Sequence, residues 1–316
     1  MMEDGYDGRS CQITFSRMTM NQTTFLVPLS DQGLIRASGE DAAAFLHNLM
    51  TNDINHIPAD GARNAGMCTA KGRLIASFLI WREGADYLLL LSADILPAIL
   101  KKLSMYVLRS KVKLTDISGE RMLIGVVGGQ IAPAAPMTSV PFEGGTAIRL
   151  DADRCVLAVP ADRAASIQAS LGKPADLAAW HLAEIAAGIP RIVAATQEAF
   201  VPQMVNYEVA AVGGVSFQKG CYPGQEIVAR TQYLGKIKRR MYRAKLDTPF
   251  PAGTDVFTPE AGDQHCGALV LTAPSPDGGH ECLVVVQSSG VEAGEVHVGK
   301  PDGPRLQMLP LPYTLE

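Results

Sequence analysis

The sequence lacks the short motifs by which most cofactor sites and nucleophilic active sites are recognised. Its 316 residues contain no C-x-x-C pair, no H-x-x-x-H pair, no G-x-x-x-x-G-K-[ST] loop and no G-x-S-x-G turn. No G-x-G-x-x-G stands between a predicted strand and a predicted helix. The sequence therefore carries no fingerprint of a permanent zinc site, a phosphate-binding loop, a dinucleotide fold or a serine hydrolase.

Long apolar runs, strong net charge and paired cysteines are missing as well. No apolar run reaches the ~18 residues of a membrane span. Residues 1–23, with Glu3 and Asp4 at their start, are predicted to form a loose leader rather than a signal peptide. The net charge of −4 gives no support for direct nucleic-acid binding. Six scattered cysteines indicate reduced thiols, so we expect a cytoplasmic protein without membrane contact.

What the sequence does contain is an irregular alternation of strand and helix patterns, which is typical of an α+β fold. A hairpin is predicted over residues 65–81 and a helix over about 93–108. Gly128-Gly129, followed by a segment rich in proline and alanine, marks a boundary or a long loop. Beyond Gly235, short strands broken by glycine and proline turns predict a small β-barrel.

The most distinctive stretch is residues 213–226, whose alternating apolar side chains predict a short strand that breaks at Gly220. Pro223 is expected at the first position of the helix that follows. Cys221 would then lie on a loop just ahead of a helix N-terminus, two residues from Lys219. Both features favour the thiolate, which is the form that acts as nucleophile or metal ligand. The alternative is that Cys221 is a small buried hydrophobic residue.

This stretch resembles the signature of a protein family. Residues 219–230, Lys-Gly-Cys-Tyr-Pro-Gly-Gln-Glu-Ile-Val-Ala-Arg, are similar to the signature of the YgfZ-type folate-binding proteins, which are bacterial relatives of the glycine-cleavage T-protein. Further family landmarks occur in family order at 51–53, 70–73, 200–203 and 311–315. The resemblance spans roughly residues 24 to 316.

The resemblance implies a fold, a function, a cofactor and partners. YgfZ-type proteins support iron–sulfur enzymes, including radical enzymes that thiolate tRNA, and hold a folate centrally between two α+β lobes and a C-terminal β-barrel. The implied domains here are residues 24–127 with 195–240, residues 128–194 and residues 241–316. We therefore expect tetrahydrofolate or a derivative as cofactor, and iron–sulfur client or assembly proteins as partners.

The resemblance also implies roles for individual residues. Cys221 would be the reactive thiolate, or a transient ligand to a cluster, and Lys219 its electrostatic support. The residues that we assign to the folate and its surroundings are Gln32, Trp180, Asn206, Tyr222, Gln225, Glu226 and Arg230. Trp180 matches a tryptophan associated with the folate site in YgfZ-type relatives; the alternative is a core aromatic on an amphipathic helix.

Four positions depart from the pattern of the relatives. Ala76 and Ser77 stand where the T-protein has an Asp-Asp pair, and neither can act as a general base, so aminomethyl transfer is not expected. Ala186 stands where a T-protein glutamate holds the pterin, and Glu184 lies about 200° around the helix from that position. Gln32 replaces the second tryptophan of the YgfZ-type relatives. The departures at Ala186 and Gln32 lower the expected affinity for folate.

Two other functions are compatible with the sequence. One is a folate-dependent one-carbon transferase with altered chemistry, and the other is direct tRNA binding. A basic run follows the signature helix, and it is either the solvated face of a barrel strand or an anion site. Its members are Lys236, Lys238, Arg239, Arg240, Arg243 and Lys245.

Overall fold

The structure is a computed structural model that describes residues 24–129, 131, 133–235 and 237–315. The predicted leader, residues 1–23, lies outside this range, as does Lys236 of the basic run. Helices and strands are mixed along the chain, which confirms the α+β prediction. None of the helices found among the described residues has the length and apolar character needed to cross a membrane.

The described elements follow one another with short connections. The strands are β1 (Phe25–Pro28), β2 (Gln32–Ser38), β3 (Ala62–Cys68), β4 (Leu74–Glu83), β5 (Asp86–Ser92), β6 (Lys113–Asp116), β7 (Arg121–Val127), β8 (Thr138–Phe142), β9 (Gly145–Arg149), β10 (Arg154–Pro160), β11 (Lys173–Pro174), β12 (Arg239–Leu246), β13 (Asp255–Phe257), β14 (Gly267–Pro274), β15 (His280–Gln287), β16 (His297–Val298) and β17 (Gln307–Leu309). The α-helices are α1 (Ala42–Leu49), α2 (Leu96–Val107), α3 (Ala164–Leu171), α4 (Leu177–Ala187), α5 (Gln225–Tyr233) and α6 (Ser288–Ala293). The predicted hairpin is β3–β4 and the helix predicted over 93–108 is α2.

The first sheet is antiparallel and has the strand order β3-β4-β5-β2-β6. Phe78 and Ile80 of β4 pack in a core with residues of α1 and α2. Leu79 and Trp81 of the same strand pack in a second core, which the second sheet shares. Because both faces of β4 are covered, the strand is apolar along most of its length instead of alternating with polar residues.

The second sheet divides the chain differently from the expected lobes. Its strand order is β11-β1-β7-β10-β9-β8, and all pairs are antiparallel except β1–β11. Strands β1 and β7 belong to residues 24–127, which were assigned to the first lobe. The boundary between the part of the chain that forms the first sheet and the part that forms the second therefore does not fall at residue 127. Pairing of β1 with β7 joins strands about ninety residues apart, and local sequence patterns do not report such pairing.

The third sheet and helix α4 complete the arrangement around the centre of the molecule. The sheet has the order β16-β13-β14-β15-β12-β17, is antiparallel throughout, and forms a half-barrel where a barrel was predicted. Helix α4 packs against β14 and β15 of this sheet and against β1 and β7 of the second sheet. One helix thus joins two sheets, and its remaining face is available to line a cavity.

Candidate functional site

The turn after α1 ties the signature stretch to the first sheet. Thr51 Oγ1 donates to the carbonyl oxygen of Gly214 at 2.6 Å and accepts from the Gly66 N–H at 2.7 Å. Asn52 Nδ2 donates to the carbonyl oxygen of Gly213 at 2.7 Å. The first of the family landmarks therefore holds both glycines that open the signature stretch.

Lys219 fastens the cysteine loop to the end of α1. Its side chain is buried, and its ammonium donates to the carbonyl oxygens of His47 at 2.5 Å and Met50 at 2.8 Å. A cation at this place satisfies carbonyls that have no partner within the helix and suits the negative end of its dipole. The ammonium also lies 4.7 Å from the centre of the Tyr222 ring. Burial lowers the pKa of Lys219 to about 8.

The chain between Cys221 and α5 is a turn, and this corrects the predicted start of the helix. Helix α5 begins at Gln225, not at Pro223. The Gln225 N–H donates to the Tyr222 carbonyl oxygen at 3.1 Å, and Gly224 has φ 82° and ψ 1°. These angles are those of the third residue of a type II turn, whose second residue is commonly proline. A Pro-Gly pair favours that turn over a helix start, which is why the prediction was wrong.

Two family landmarks pack against each other through glycines. A Cβ atom at Gly224 would lie 2.3 Å from the Thr69 carbonyl oxygen and 2.7 Å from the Gly72 Cα atom. Gly72 has a φ of +70° in the hairpin turn, and a Cβ there would lie 3.0 Å from the Cβ of Ile227 in α5. Only residues without a side chain allow the hairpin turn and the signature turn to approach this closely.

Cys221 is the one exposed cysteine among the five that the described residues contain. The alternative that it is a buried hydrophobic residue is therefore wrong. Burial raises the pKa of the Cys68, Cys155 and Cys282 thiols to about 12, so these three are protonated and inert at neutral pH. Asp53 opposes the effect of burial and raises the pKa of Lys219, so the acidic side chain of the turn after α1 lies within electrostatic reach of the cysteine loop.

A histidine pair joined by a carboxylate lies beside the loop, and sequence reasoning did not bring it together. Asp53 lies 3.2 Å from His47 Nδ1 and 2.8 Å from His56 Nδ1. A Cβ atom at Gly220 would lie 3.9 Å from His47 Nε2, which places this imidazole next to the residue before Cys221. Burial and then Lys219 lower the pKa of His47, while Asp53 opposes them. The lowered pKa favours the neutral form of the His47 imidazole.

A cavity of about 1130 Å³ adjoins α4, as the predicted central pocket requires. Part of its wall is apolar and includes Ala183, Ala186 and Ala187 of α4. The polar and charged residues of its wall are Asn52, Asp60, Arg63, Asn64, Thr138, Asp151, Asp153, Arg154 and Tyr313. Arg63 Nε is buried and has no hydrogen-bond partner among the described residues. The position of the T-protein glutamate thus faces the cavity here, but carries only a methyl group.

Trp180 and Gln32 lie in the core beside the cavity and not in its wall. Trp180 is only 1% exposed, and the guanidinium of Arg154, which does line the cavity, lies 5.7 Å from its ring centre. With its amide oxygen turned toward them, Gln32 accepts from Trp180 Nε1 at 3.3 Å and from Arg191 Nη1 at 3.2 Å. Trp180 therefore fits the core-aromatic alternative.

A buried charge cluster surrounds Arg191, and sequence reasoning missed it. Arg191 lies 2.7 Å from Asp31 Oδ2 and 3.8 Å from Glu184 Oε2, and His181 Nε2 lies 2.7 Å from the same oxygen of Asp31. His181 and Glu184 are one helical turn apart on α4, a spacing that places both on one face. Glu184 is absent from the cavity wall, as its position on the helix predicted.

The other predicted site residues lie apart from the cavity. Asn206 is buried, and its Nδ2 donates to the Met241 carbonyl oxygen at 2.8 Å. Gln225, Glu226 and Arg230 are on α5, where the last two are exposed. The structure brings Lys219, Cys221, Tyr222, Gln225, Glu226 and Arg230 together on the signature loop and α5, and it separates Gln32, Trp180 and Asn206 from them. The folate roles of these residues stay predictions.

Three of the five described members of the basic run form ion pairs. Arg240 forms an ion pair with Glu208, and Arg243 Nη2 lies 2.5 Å from Glu281 Oε2. Lys245 lies 4.0 Å from Asp277. These pairs favour the face of a barrel strand over an extended anion site.

Comparison with known proteins agrees with this geometry. Residues 15–134 match a family model described as the GCVT N-terminal domain. The chain is 32% identical over 307 residues to the tRNA-modifying protein YgfZ of Photobacterium profundum, covering 92% of each chain. It is 32% identical over 301 residues to the protein of the same name from Vibrio vulnificus (strain YJ016), covering 91% of this chain and 92% of the relative. The chain belongs to the YgfZ family.

A solved structure similar to this YgfZ-family chain supports the fold. The glycine cleavage system aminomethyltransferase T from Bartonella henselae superposes with a TM-score of 0.70 at 17% identity, covering 92% of this chain and 86% of that one. At this identity the likeness establishes the fold alone. The YgfZ-family chain therefore has the aminomethyltransferase T architecture, as the resemblance implied.

Proposed function

We propose that this protein is a folate-binding accessory factor that supports the assembly or repair of iron–sulfur proteins, including radical enzymes that modify tRNA. The observation that carries the proposal is the exposed Cys221 thiol on a signature loop that two other family landmarks hold in place. The name tRNA-modifying protein, carried by the relatives, supports the part that concerns tRNA. A reducing compartment, the cytoplasm, suits a chain whose described cysteines are all free thiols.

Transient contact with a client's cluster suits the surroundings of Cys221. No group of three histidine, cysteine or acidic residues within the described ranges is arranged to hold a metal ion. An iron atom bound by Cys221 would therefore take its other ligands from a partner, as an exposed single thiolate permits. Because Cys221 is exposed, the thiol proton released when the sulfur binds would pass to solvent.

The folate site would be the cavity beside α4. Its volume of about 1130 Å³ accommodates a ligand of folate size, because pockets for drug-sized molecules span roughly 300–1,000 Å³. The unpartnered Nε of Arg63 suits a carboxylate or carbonyl oxygen of the ligand, and the α4 wall suits an aromatic ring. Ala186 cannot accept hydrogen bonds from a pterin, so tetrahydrofolate or its derivative would be held without the T-protein's carboxylate.

The alternative function is a folate-dependent one-carbon transferase, and the T-protein fold is the observation in its favour. Two residues count against it. Ala76 is buried in the first core, and Ser77 Oγ accepts from the Ile192 N–H at 2.8 Å. Neither residue lines the cavity or supplies a carboxylate, so a proton acceptor for transfer is missing where the T-protein has one.

Complementation tests the accessory function. The protein is expressed in a bacterium that lacks its own YgfZ-type protein, and the methylthiolated fraction of its tRNA is measured. We expect the wild type to restore methylthiolation, and the purified protein to bind tetrahydrofolate without turning over its one-carbon adducts. Turnover of such an adduct would favour the transferase. Absence of any rescue by soluble wild-type protein would refute the accessory function.

A further inference from the structure

Helix α5 presents an apolar face to solvent directly after the Cys221 loop. Ile227 is 39% exposed, Tyr233 is 69% exposed and Leu234, which ends the helix, is 85% exposed. Large apolar side chains that are exposed together mark binding surfaces more often than scattered single ones. We call Ile227, Tyr233 and Leu234 the α5 apolar face.

Two of the three side chains of the α5 apolar face, Ile227 and Tyr233, pack against the rest of the protein. The Tyr233 ring meets the Phe217 ring of the signature loop edge to face, with centroids 5.9 Å apart and an interplanar angle of 69°. Ile227 lies against Gly72 of the hairpin turn. A surface whose aromatic and aliphatic side chains are already ordered loses little side-chain entropy on binding.

Positive charge surrounds this face. Arg230 lies on α5 and Lys238 follows the helix, and both are exposed. Lys71 is exposed in the hairpin turn, next to Gly72 and hence beside Ile227. Glu226 is the one acidic residue of α5. On the helix, Arg230 lies between Ile227 and Leu234, so the partner surface that this pattern complements offers acidic side chains among apolar ones.

We infer that the α5 apolar face docks an acidic surface of a client protein and thereby brings the client's cluster to Cys221; this inference rests on the proposed function. A protein fits this face better than RNA does, because two of its three apolar side chains, Ile227 and Leu234, are aliphatic, and only Tyr233 offers a ring on which a base could stack. A second copy of the chain fits poorly, because a two-fold interface would bring the same basic rim against itself.

An expression titration in the complemented bacterium tests docking separately from thiol chemistry. Leu234→Asp and Lys71→Glu, neither of which alters a residue assigned to the folate or to the thiol chemistry, are compared with wild type over a range of induction, and methylthiolated tRNA is plotted against soluble protein. Leu108→Asp is the matched control, because Leu108 is 89% exposed at the end of α2, outside α5. Purified variants are first checked for an unchanged melting temperature.

Weakened docking has a distinct signature in this experiment. We expect Leu234→Asp and Lys71→Glu to raise the half-maximal protein level on the order of tenfold, with the wild-type plateau, since loss of one interface anchor weakens affinity by about that factor. Leu108→Asp should follow the wild-type curve. A loss of thiol chemistry would instead lower the plateau at every expression level.

Several results would overturn the inference. If wild type complements and both Leu234→Asp and Lys71→Glu follow its curve, docking on this face is wrong while the accessory function stands. If purified wild type sediments as a dimer that Leu234→Asp dissociates, the face belongs to a second copy. If the purified protein binds tRNA and Leu234→Asp abolishes that binding, the partner is RNA. If wild type does not complement at any expression level, the proposed function is wrong, and the docking inference, which rests on it, is wrong as well.

Discussion

Replacement of Lys219 by methionine should release the cysteine loop from α1. Lys219→Met keeps much of the apolar stem but removes the ammonium that bonds to the carbonyl oxygens of His47 and Met50. Hydrogen bonds to a charged group contribute about 1.5–3 kcal/mol each, and removal of a buried ammonium recovers part of its desolvation cost. We therefore expect a net loss of about 2–4 kcal/mol in the free energy of unfolding at pH 7.

The pH dependence of this loss gives a second, independent readout. Burial lowers the pKa of Lys219 to about 8, whereas the unfolded chain keeps the ordinary value near 10.5. Between these values the unfolded state binds more protons than the folded state, so stability rises with pH in that window. The wild type should gain roughly 1–3 kcal/mol relative to Lys219→Met between pH 8 and 10.5.

Urea unfolding at several pH values measures both effects. Lys101→Met serves as control, because Lys101 is exposed on α2 and should change the midpoint little. Iodoacetamide labelling of Cys221 would report whether the released loop exposes its thiol further. A loss below about 0.5 kcal/mol, together with parallel pH profiles for variant and wild type, would refute the role of Lys219 as the fastening of the loop.

Three further substitutions test the contacts around the loop and the cavity. Gly224→Ala should cost about 2–3 kcal/mol in urea unfolding, because φ is 82° and the new Cβ would meet Thr69 O at 2.3 Å. Thr51→Val should cost about 1–3 kcal/mol in the same assay, because it leaves the buried Gly66 N–H and Gly214 C=O without their partner. Ala186→Glu should tighten tetrahydrofolate binding about tenfold by calorimetry, because it restores a carboxylate to the cavity wall.

Matched control variants separate the loss of each specific contact from the general effect of the same kind of substitution elsewhere in the protein. Gly278 has a φ of +90° with nothing within 4 Å of its would-be Cβ, so Gly278→Ala carries backbone strain without a clash. An equal cost for Gly224→Ala and Gly278→Ala would contradict close packing of the two turns. Ala169→Glu places the same charge on an exposed position of α3, and equal affinity for both glutamate variants would contradict the assignment of the pterin site. If the Thr51→Val protein is as stable as wild type, the hydrogen bonds of the Thr51 hydroxyl do not hold the turn after α1.

The elements that sequence predicted are those whose signals are local. Strand patterns on either side of a turn predicted the β3–β4 hairpin, and apolar spacing predicted α2. The assignment of β1 and β7 to the second sheet was not predictable in this way, because it depends on pairing between strands distant in sequence. The start of α5 was misplaced for a local reason, since Pro223 fits both a helix start and a type II turn.

The site was predictable where it coincides with the signature and hidden where it depends on tertiary contacts. The exposure of Cys221 followed from its glycine-flanked loop. The burial of Lys219 did not, because lysine is almost always exposed and only the carbonyls at the end of α1 explain its position. The approach of His47 to Gly220 and the unpartnered Arg63 Nε likewise arise from distant segments.

The measurement that bears most directly on the central claim is the methylthiolated fraction of tRNA in a bacterium that carries Cys221→Ser in place of its YgfZ-type protein. Cys282→Ser, which alters a buried thiol of the half-barrel, is the matched control at equal soluble expression. We predict that Cys221→Ser abolishes methylthiolation at every expression level, whereas Cys282→Ser leaves it near the wild-type level. Full restoration by Cys221→Ser would contradict the role of the thiol and leave the signature loop a structural feature.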